Sequence, residues 1–379
     1  MDALILSCST GGGHNAAGEA IREELKSRGH QVSMFDPYSL ISSGLASGIG
    51  NVYIKLVQMS PKLFGFVYSL GELYRRLPFR SPVYFINRKP ARVLEEYLKK
   101  HPVDVIIMPH LFPAEMVTQL KNQRIKLPTT VFVATDYACI PFTEETDCDY
   151  YVIPHSELAG DFTKKGIPAE KLLPFGIPVR KMFSKKCTKE QAKGKLGLSP
   201  GIEYFLIAGG SIGAGELQKA VKILYRLIGD RQKLIIICGN NKKVYSRMKR
   251  HYGKKSIVLQ KTDKMALYMQ ASDLFLSKPG GLSSTEAAVA GVPMLHFGPI
   301  PGCETKNRRF FMNHGISIPL KKINRHSLKR VMKRLDRGRG ENGLRIRNSN
   351  PVIPKDARER ICDWLEETVQ QRHPANDLW

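Results

Sequence analysis

Twice in this sequence an apolar run of strand length breaks into glycines and then into a helix. Residues 3–8 lead into Ser9-Thr10-Gly11-Gly12-Gly13-His14, and residues 204–208 lead into Gly209-Gly210-Ser211-Ile212-Gly213. A strand that is apolar at every position is buried on both faces, the condition of a parallel sheet, and each parallel pair needs a helical crossover. The sequence supplies the crossovers. Residues 14–28 carry Ala17, Ile21 and Leu25 on one helical stripe, Gln31–Phe35 reads as the next strand, and 103–108 and 129–134 follow with helical 113–122 between them. After the second glycine turn, 214–228 reads as a helix, and 233–238, 256–259, 274–276 and 293–296 read as strands alternating with helices. The pattern predicts an α/β protein with two Rossmann-like halves, at 1–180 and 201–353, and a terminal helical segment within 354–379 that can cross back onto the first half. A chain of 379 residues has the length for two such domains.

Several classes fall away. The longest clean apolar runs, 105–108 and 234–238, are far short of the roughly 18–20 residues of a membrane-spanning helix. The opening Met1-Asp2-Ala3-Leu4-Ile5 lacks the basic lead of a signal peptide. The seven cysteines are odd in number and form no CxxC pair, so they read as reduced cytosolic thiols and not as a disulfide frame or a zinc site.

The charge asks for a partner. Lys and Arg number 59 against 34 Asp and Glu, a net of +25, which suits nucleic acid, an anionic membrane surface or a phosphorylated small ligand. The runs 242–255, with seven cations and no acid, and 321–347, with eleven cations against Asp336 and Glu341, read as solvated helix faces. No nucleic-acid-reading motif accompanies them, so no nucleic-acid partner is expected. Residues 39–92 differ. There eight cations and a single acid, Glu72, alternate with aromatics such as Tyr53, Phe64, Tyr74, Phe79 and Phe85. This stretch reads as an insertion on the rim of the first half, suited to the headgroup region of an anionic leaflet, or else as an ordinary packed subdomain.

The candidate chemistry lies in the loops that follow strands. Gly12 and Gly13 leave amide N–H groups open at a helix start, where polar ligand oxygens are favoured, and a neutral His14 there can take a proton from a substrate hydroxyl. The plainer reading of His14 is a helix-terminal histidine bonded to backbone. Gly209-Gly210-Ser211 is placed to cradle a pyrophosphate, or is a plain glycine turn. Lys278-Pro279-Gly280-Gly281-Leu282-Ser283-Ser284-Thr285-Glu286 combines a cation, a glycine helix start and a carboxylate able to accept two ribose hydroxyls. Ser283 and Glu286 also have capping-box spacing, in which the Glu only caps its own helix. Pro299-Ile300-Pro301-Gly302-Cys303-Glu304-Thr305-Lys306-Asn307 is a stiff polar loop after the next strand.

In order and spacing these motifs, with Thr135-Asp136 and Phe175-Gly176-Ile177-Pro178-Val179, make the chain resemble the monogalactosyldiacylglycerol synthases and processive diacylglycerol glucosyltransferases. More distantly it is similar to the enzyme that adds N-acetylglucosamine to the lipid-linked muramyl precursor of peptidoglycan. The resemblance covers most of the chain. It implies a GT-B fold, two Rossmann-like domains facing each other across a cleft, and an inverting transfer of a hexosyl group from a UDP-sugar to a membrane lipid such as diacylglycerol, with no metal and no cofactor. It implies a cytoplasmic enzyme held peripherally on the inner face of the cell membrane. By position, His14 is the base or its immediate partner. Gly209, Gly210 and Ser211, with Lys278, Gly280 and Gly281, hold the diphosphate, and Glu286 holds the ribose. Glu304 and Asn307 face the sugar, and Gly12, Gly13 and Asp136 lie on the acceptor side.

The chain departs from the family pattern in two places. Cys303 stands where the family commonly has Gln, which leaves glucose, galactose and N-acetylglucosamine all open as the sugar. The stretch 137–142 lacks the His and Trp common after Thr-Asp in the diacylglycerol enzymes. His110 and His155 are alternative bases, each read as structural. Two rival functions are a UDP-N-acetylglucosamine 2-epimerase-like enzyme and a non-catalytic nucleotide-sugar and membrane-binding protein.

Overall fold

A computed structural model describes residues 1–8, 12–42, 71, 73–74, 79–209, 216–337 and 352–372. Most of the aromatic-basic stretch at 39–92, together with Ser9, Thr10, Gly11, Gly210 and Ser211, lies outside the described residues. The first part of the chain runs β1 (Asp2–Leu6), α1 (Gly12–Ser27), β2 (Gln31–Phe35), α2 (Arg88–Lys100), β3 (Val105–Met108), α3 (Leu111–Asn122), β4 (Thr129–Val133), β5 (Tyr150–Val152) and β6 (Leu172–Leu173). The second runs β7 (Glu203–Ala208), α4 (Leu217–Leu224), β8 (Gln232–Ile237), α5 (Lys242–Tyr252), β9 (Ser256–Leu259), β10 (Leu274–Ser277), α6 (Gly281–Ala290), β11 (Met294–His296), α7 (Cys303–Asn313), β12 (Ser317–Pro319) and α8 (Arg325–Arg337). The closing helix is α9 (Ala357–Arg372). Two compact units result: Met1–Lys181 with Pro354–Trp379, and Met182–Ile353.

Each unit holds one six-stranded sheet, ordered β2-β1-β3-β4-β5-β6 in the first and β12-β11-β10-β7-β8-β9 in the second. Every strand pair is parallel. The central strands are buried on both faces, as at Leu4, Ile5 and Leu6 in β1 and Leu234, Ile235 and Ile236 in β8, which is why they read as unbroken apolar runs. The short strands β5, β6 and β12 were not expected from the sequence. They have two or three residues each and take their register from the neighbouring strand, too few for a period of their own.

The strand order also shows where ligands can bind. In the first sheet the chain steps from β1 out to β2 and returns to β3 on the other side of β1; in the second it steps from β7 to β8 and β9 and returns to β10. Crevices open at such reversals, outside the carboxyl ends of β1 and β3 and of β7 and β10.

The aromatic-basic stretch was expected to extend to residue 92, but Arg88 and Arg92 belong to α2. This regular crossover helix buries Pro90, Ala91 and Leu94 and leads into β3, and the apolar spacing inside the basic run is its core face. The last helix completes the first unit: Ile361, Cys362, Leu365 and Val369 of α9 share one cluster with Ile21 and Leu25 of α1 and with Ile5 and Ile107 of the sheet. Arg28 clasps Asp363 at 2.6 Å and Glu366 at 3.0 Å, and His30 Nε2 lies 2.6 Å from Glu366. The hydrogen bond from His30, with Arg28 beside it, holds the Glu366 carboxyl below the usual range. Gly176 is required here. Its φ is +100°, and a Cβ would meet Ala357 and Pro354 at 3.1 Å, so Gly176 lets the chain pass beneath the start of α9.

Candidate functional site

Three loops of the first unit meet at its crevice. His14 stands in the first turn of α1, Pro109 and His110 follow β3, and Thr135 and Asp136 follow β4. His14 Nδ1 lies 2.7 Å from the Pro109 carbonyl oxygen and 2.9 Å from Thr135 Oγ1. A carbonyl only accepts, so Nδ1 carries the hydrogen of the neutral ring, and Nε2 is left with its lone pair. Burial lowers the His14 pKa from 6.5, against the opposing pull of Asp136 and the Pro109 hydrogen bond. The His110 ring meets His14 edge-on at 4.6 Å. The recess around His14 is lined by Leu111, Phe132, Ala134, Thr135, Asp136 and Thr143, so a mostly apolar wall surrounds few polar atoms. A neutral base held by a carbonyl in such a recess can accept a proton from a hydroxyl, and a carboxylate beside it stabilises the cation that forms.

The two alternative bases have structural roles. His110 Nδ1 accepts from Phe112 N at 3.1 Å and caps α3, and burial, with His14 next to it, keeps its pKa well below 6.5. His155 Nδ1 accepts from Glu157 N at 3.2 Å and caps the turn Ser156–Leu158. Gly12 and Gly13 open α1, Gly12 exposed and Gly13 half-buried. Pro109, Thr135 as a partner of the base, and Thr143 were not singled out by sequence. A backbone carbonyl leaves no residue-type signal, and the hydroxyls lie more than a hundred residues from His14.

The second unit gathers its own set at the carboxyl ends of β7, β10 and β11. Gly209 follows β7. Lys278, Pro279 and Gly280 follow β10 and lead into α6, whose N-cap is Gly280 with no side-chain hydrogen bond. The capping-box reading of Ser283 and Glu286 therefore fails: Ser283 is inside the helix, its hydroxyl 3.4 Å from the Gly280 carbonyl, and Glu286 lies half-buried mid-helix. The N–H groups that a capping side chain would have occupied are presented at the helix start.

Asn307 and Glu304 lock the loops. Asn307 on α7 is fully buried and donates from Nδ2 to the Pro279 carbonyl at 3.1 Å, tying α7 to the loop that opens α6. Glu304 Oε2 accepts from Ile300 N at 2.6 Å and closes the Pro-Gly turn, where Gly302 has φ +109°. Cys303, half-buried, is the first residue of α7. Sequence reading missed Glu216 as well: Gly298 has φ +48°, and a Cβ there would stand 2.5 Å from Glu216 Oε2, so this carboxylate is pressed against the backbone at the end of β11. Among the described residues no group of three His, Cys, Asp or Glu side chains is placed to hold a metal ion, and no helix is long and apolar enough to cross a membrane.

Residues 14–179 match the monogalactosyldiacylglycerol (MGDG) synthase family, and residues 204–351 match the glycosyltransferase family 28 C-terminal domain. The processive diacylglycerol beta-glucosyltransferase of Bacillus pumilus (strain SAFR-032) is 26% identical, over 85% of this chain and 83% of its own length. Acinetobacter baumannii MurG is similar in structure, with a TM-score of 0.63 at 15% identity over 97% of this chain and 99% of that one. The UDP-GlcNAc 2-epimerase of Neisseria meningitidis reaches 0.59 at 12% identity, over 97% of this chain and 100% of its own. Over the whole length, then, the fold is GT-B with two Rossmann-like units. Transferases and epimerases share it, and only the sequence families separate the two.

Proposed function

The chain belongs to the family of monogalactosyldiacylglycerol synthases and processive diacylglycerol glucosyltransferases, and from that premise we propose that it moves a hexosyl group from a UDP-sugar to a membrane lipid acceptor such as diacylglycerol. The transfer inverts the sugar carbon and uses no metal or other cofactor. The observation that carries the reading is the His14 cluster: a half-buried, neutral imidazole whose Nδ1–H is spent on Pro109 and whose Nε2 is free to work as a base.

In this mechanism Nε2 takes the proton of the acceptor hydroxyl, and the acceptor oxygen attacks the anomeric carbon opposite the diphosphate. The bond from that carbon to the diphosphate oxygen breaks, and UDP leaves with the electron pair. Asp136 stabilises the imidazolium, while Gly12 and Gly13 let the acceptor approach the backbone. Lys278, the N–H groups at Gly280 and Gly281, and the Gly209-Gly210-Ser211 turn hold the departing diphosphate. Glu286 takes the ribose hydroxyls and Glu304 faces the sugar. Asn307 acts by holding the Lys278-Pro279-Gly280 loop in place.

The membrane side of the proposal rests on the first unit, where Phe79, Phe85 and Ile86 are 68%, 58% and 64% exposed. Arg88 and Lys89 are exposed beside them, and Arg80 is tied to the Glu145 carbonyl and stacked over Tyr84. Apolar side chains rimmed by cations suit the headgroup layer of an anionic leaflet and support the reading of a peripheral protein on the cytoplasmic face. An epimerase reading has no support from either sequence family.

The test is UDP release from a panel of UDP-sugars, with and without vesicles containing diacylglycerol. Lipid-dependent release with one sugar, lost in His14→Ala while UDP still binds, is the expected result. Release that needs no lipid, or full transfer by His14→Ala, overturns the proposal.

A further inference from the structure

We propose that the face of the second unit formed by α4, α5 and α8 is a docking surface for an anionic phospholipid bilayer, separate from the apolar patch of the first unit. The inference rests on the lipid-acceptor reading above, which brings the chain to a bilayer. The three helices lie on one side of the second sheet: Leu217 and Val221 of α4, Val244 and Met248 of α5, and Leu328 and Val331 of α8 are buried in one cluster with Phe205, Ile207, Leu234 and Ile236. Their apolar stripes are committed to that core, so their remaining positions form the outer surface of one helical layer.

Among the described side chains that surface carries one sign of charge. Residues 217–226 hold three Lys or Arg, 242–255 hold seven and 321–333 hold six, and none of these stretches has an Asp or Glu. All of these cations are exposed, and among the described residues none is ion-paired. Charges closer than a Debye length of about 10 Å repel one another, so the layer gains from an extended surface of opposite sign.

Read one helix at a time, each run is an ordinary solvated face. The fold brings the runs together on one layer, which no single run reveals. The surface is also dry of apolar anchors: Leu73, Phe79, Phe85, Ile86 and Met312 are the large exposed apolar residues among those described, and none belongs to these helices. The contact is therefore electrostatic and does not insert. Nor are aromatics offered for stacking nucleic-acid bases, since Tyr225 and Tyr252 pack on each other at 4.9 Å and against the core. A bilayer fits a broad charged layer better than an unstacked strand does.

The experiment is sedimentation of the full chain with phosphatidylcholine vesicles, with and without phosphatidylglycerol, over a salt series. One variant combines Lys242→Glu, Arg247→Glu, Arg250→Glu, Lys329→Glu and Lys333→Glu; a milder one carries Gln at the same five positions. A third combines Phe79→Ser, Phe85→Ser and Ile86→Ser. A cation near an anionic leaflet contributes about fivefold to partitioning, so losing all five lowers it about three thousandfold where every one touches the leaflet, and at least about thirtyfold where two do. The loss is confined to phosphatidylglycerol vesicles, and UDP binding and transfer to diacylglycerol in neutral detergent micelles stay at wild-type level. The Gln variant shows a smaller loss in the same direction, and the Phe79, Phe85, Ile86 variant keeps the salt-sensitive component. Wild-type partitioning in the reversal variant, equal wild-type binding with and without phosphatidylglycerol, or displacement of the chain from vesicles by RNA at physiological salt would each overturn the proposal. Absence of transfer by the wild type in micelles, with vesicle binding intact, counts against the enzyme reading alone.

Discussion

Glu115, on α3 one turn beyond the residue that lines the His14 recess, couples the stability of the first unit to pH. It is fully buried, and neither carboxylate oxygen has a hydrogen-bond partner. Burial, reinforced by Glu145 and only partly offset by Arg80, pushes its pKa from 4.5 to about 8. Between those values the folded protein holds a proton that the unfolded chain has released. The stability from this group is complete below pH 4.5 and drains as pH rises towards 8, by about 1.4 kcal/mol per pH unit. At neutral pH the loss is on the order of 3 kcal/mol, a ceiling because the site can relax or admit water. Glu115→Gln keeps the shape and removes the titration. In urea unfolding across this range the variant is the more stable, its advantage widens with pH, and the gap levels off beyond about pH 8. A gap that does not change with pH, or a variant less stable throughout, would show that the carboxylate is ionised and paired, and would refute the reasoning.

Two further outcomes follow from the site and the core. Because desolvation lowers the His14 pKa from 6.5, the imidazole is already neutral there, so the acid limb of kcat/KM for transfer lies below pH 6.5; a limb at or above 6.5 removes His14 as the base. Leu365→Ala, at a fully buried position between α9, α1 and the sheet, lowers the stability of the first unit by about 2–5 kcal/mol in calorimetry. A shift equivalent to less than about 1 kcal/mol would mean that α9 is not part of that core.

The main architecture could be read from the chain because buried parallel strands such as β1 and β8 are apolar at every position, and helices such as α1 keep a stripe of small and branched residues. What escaped depends on residues distant in sequence. Ser283 and Glu286 have the spacing of a cap, and only the helix start at Gly281 shows that they do not form one. Asn307 reads as one more polar residue in a loop, yet its amide holds a carbonyl 28 positions away. The Nε2 lone pair of His14 is settled by the Pro109 carbonyl, which no residue type announces. Glu115 sits in an apolar helix whose spacing says that it faces inward, but not that it arrives there without a partner.

The place of α9 sets the order in which the molecule can be built. Synthesis runs from the first residue to the last, and the second unit is one unbroken segment, Met182–Ile353, that can close as soon as it leaves the ribosome. The first unit emerges earlier but must wait. Until Ile361, Leu365 and Val369 arrive, Ile21 and Leu25 face water across an open groove. The half of the nascent chain made first is thus finished last, and through that interval its apolar flank stays uncovered.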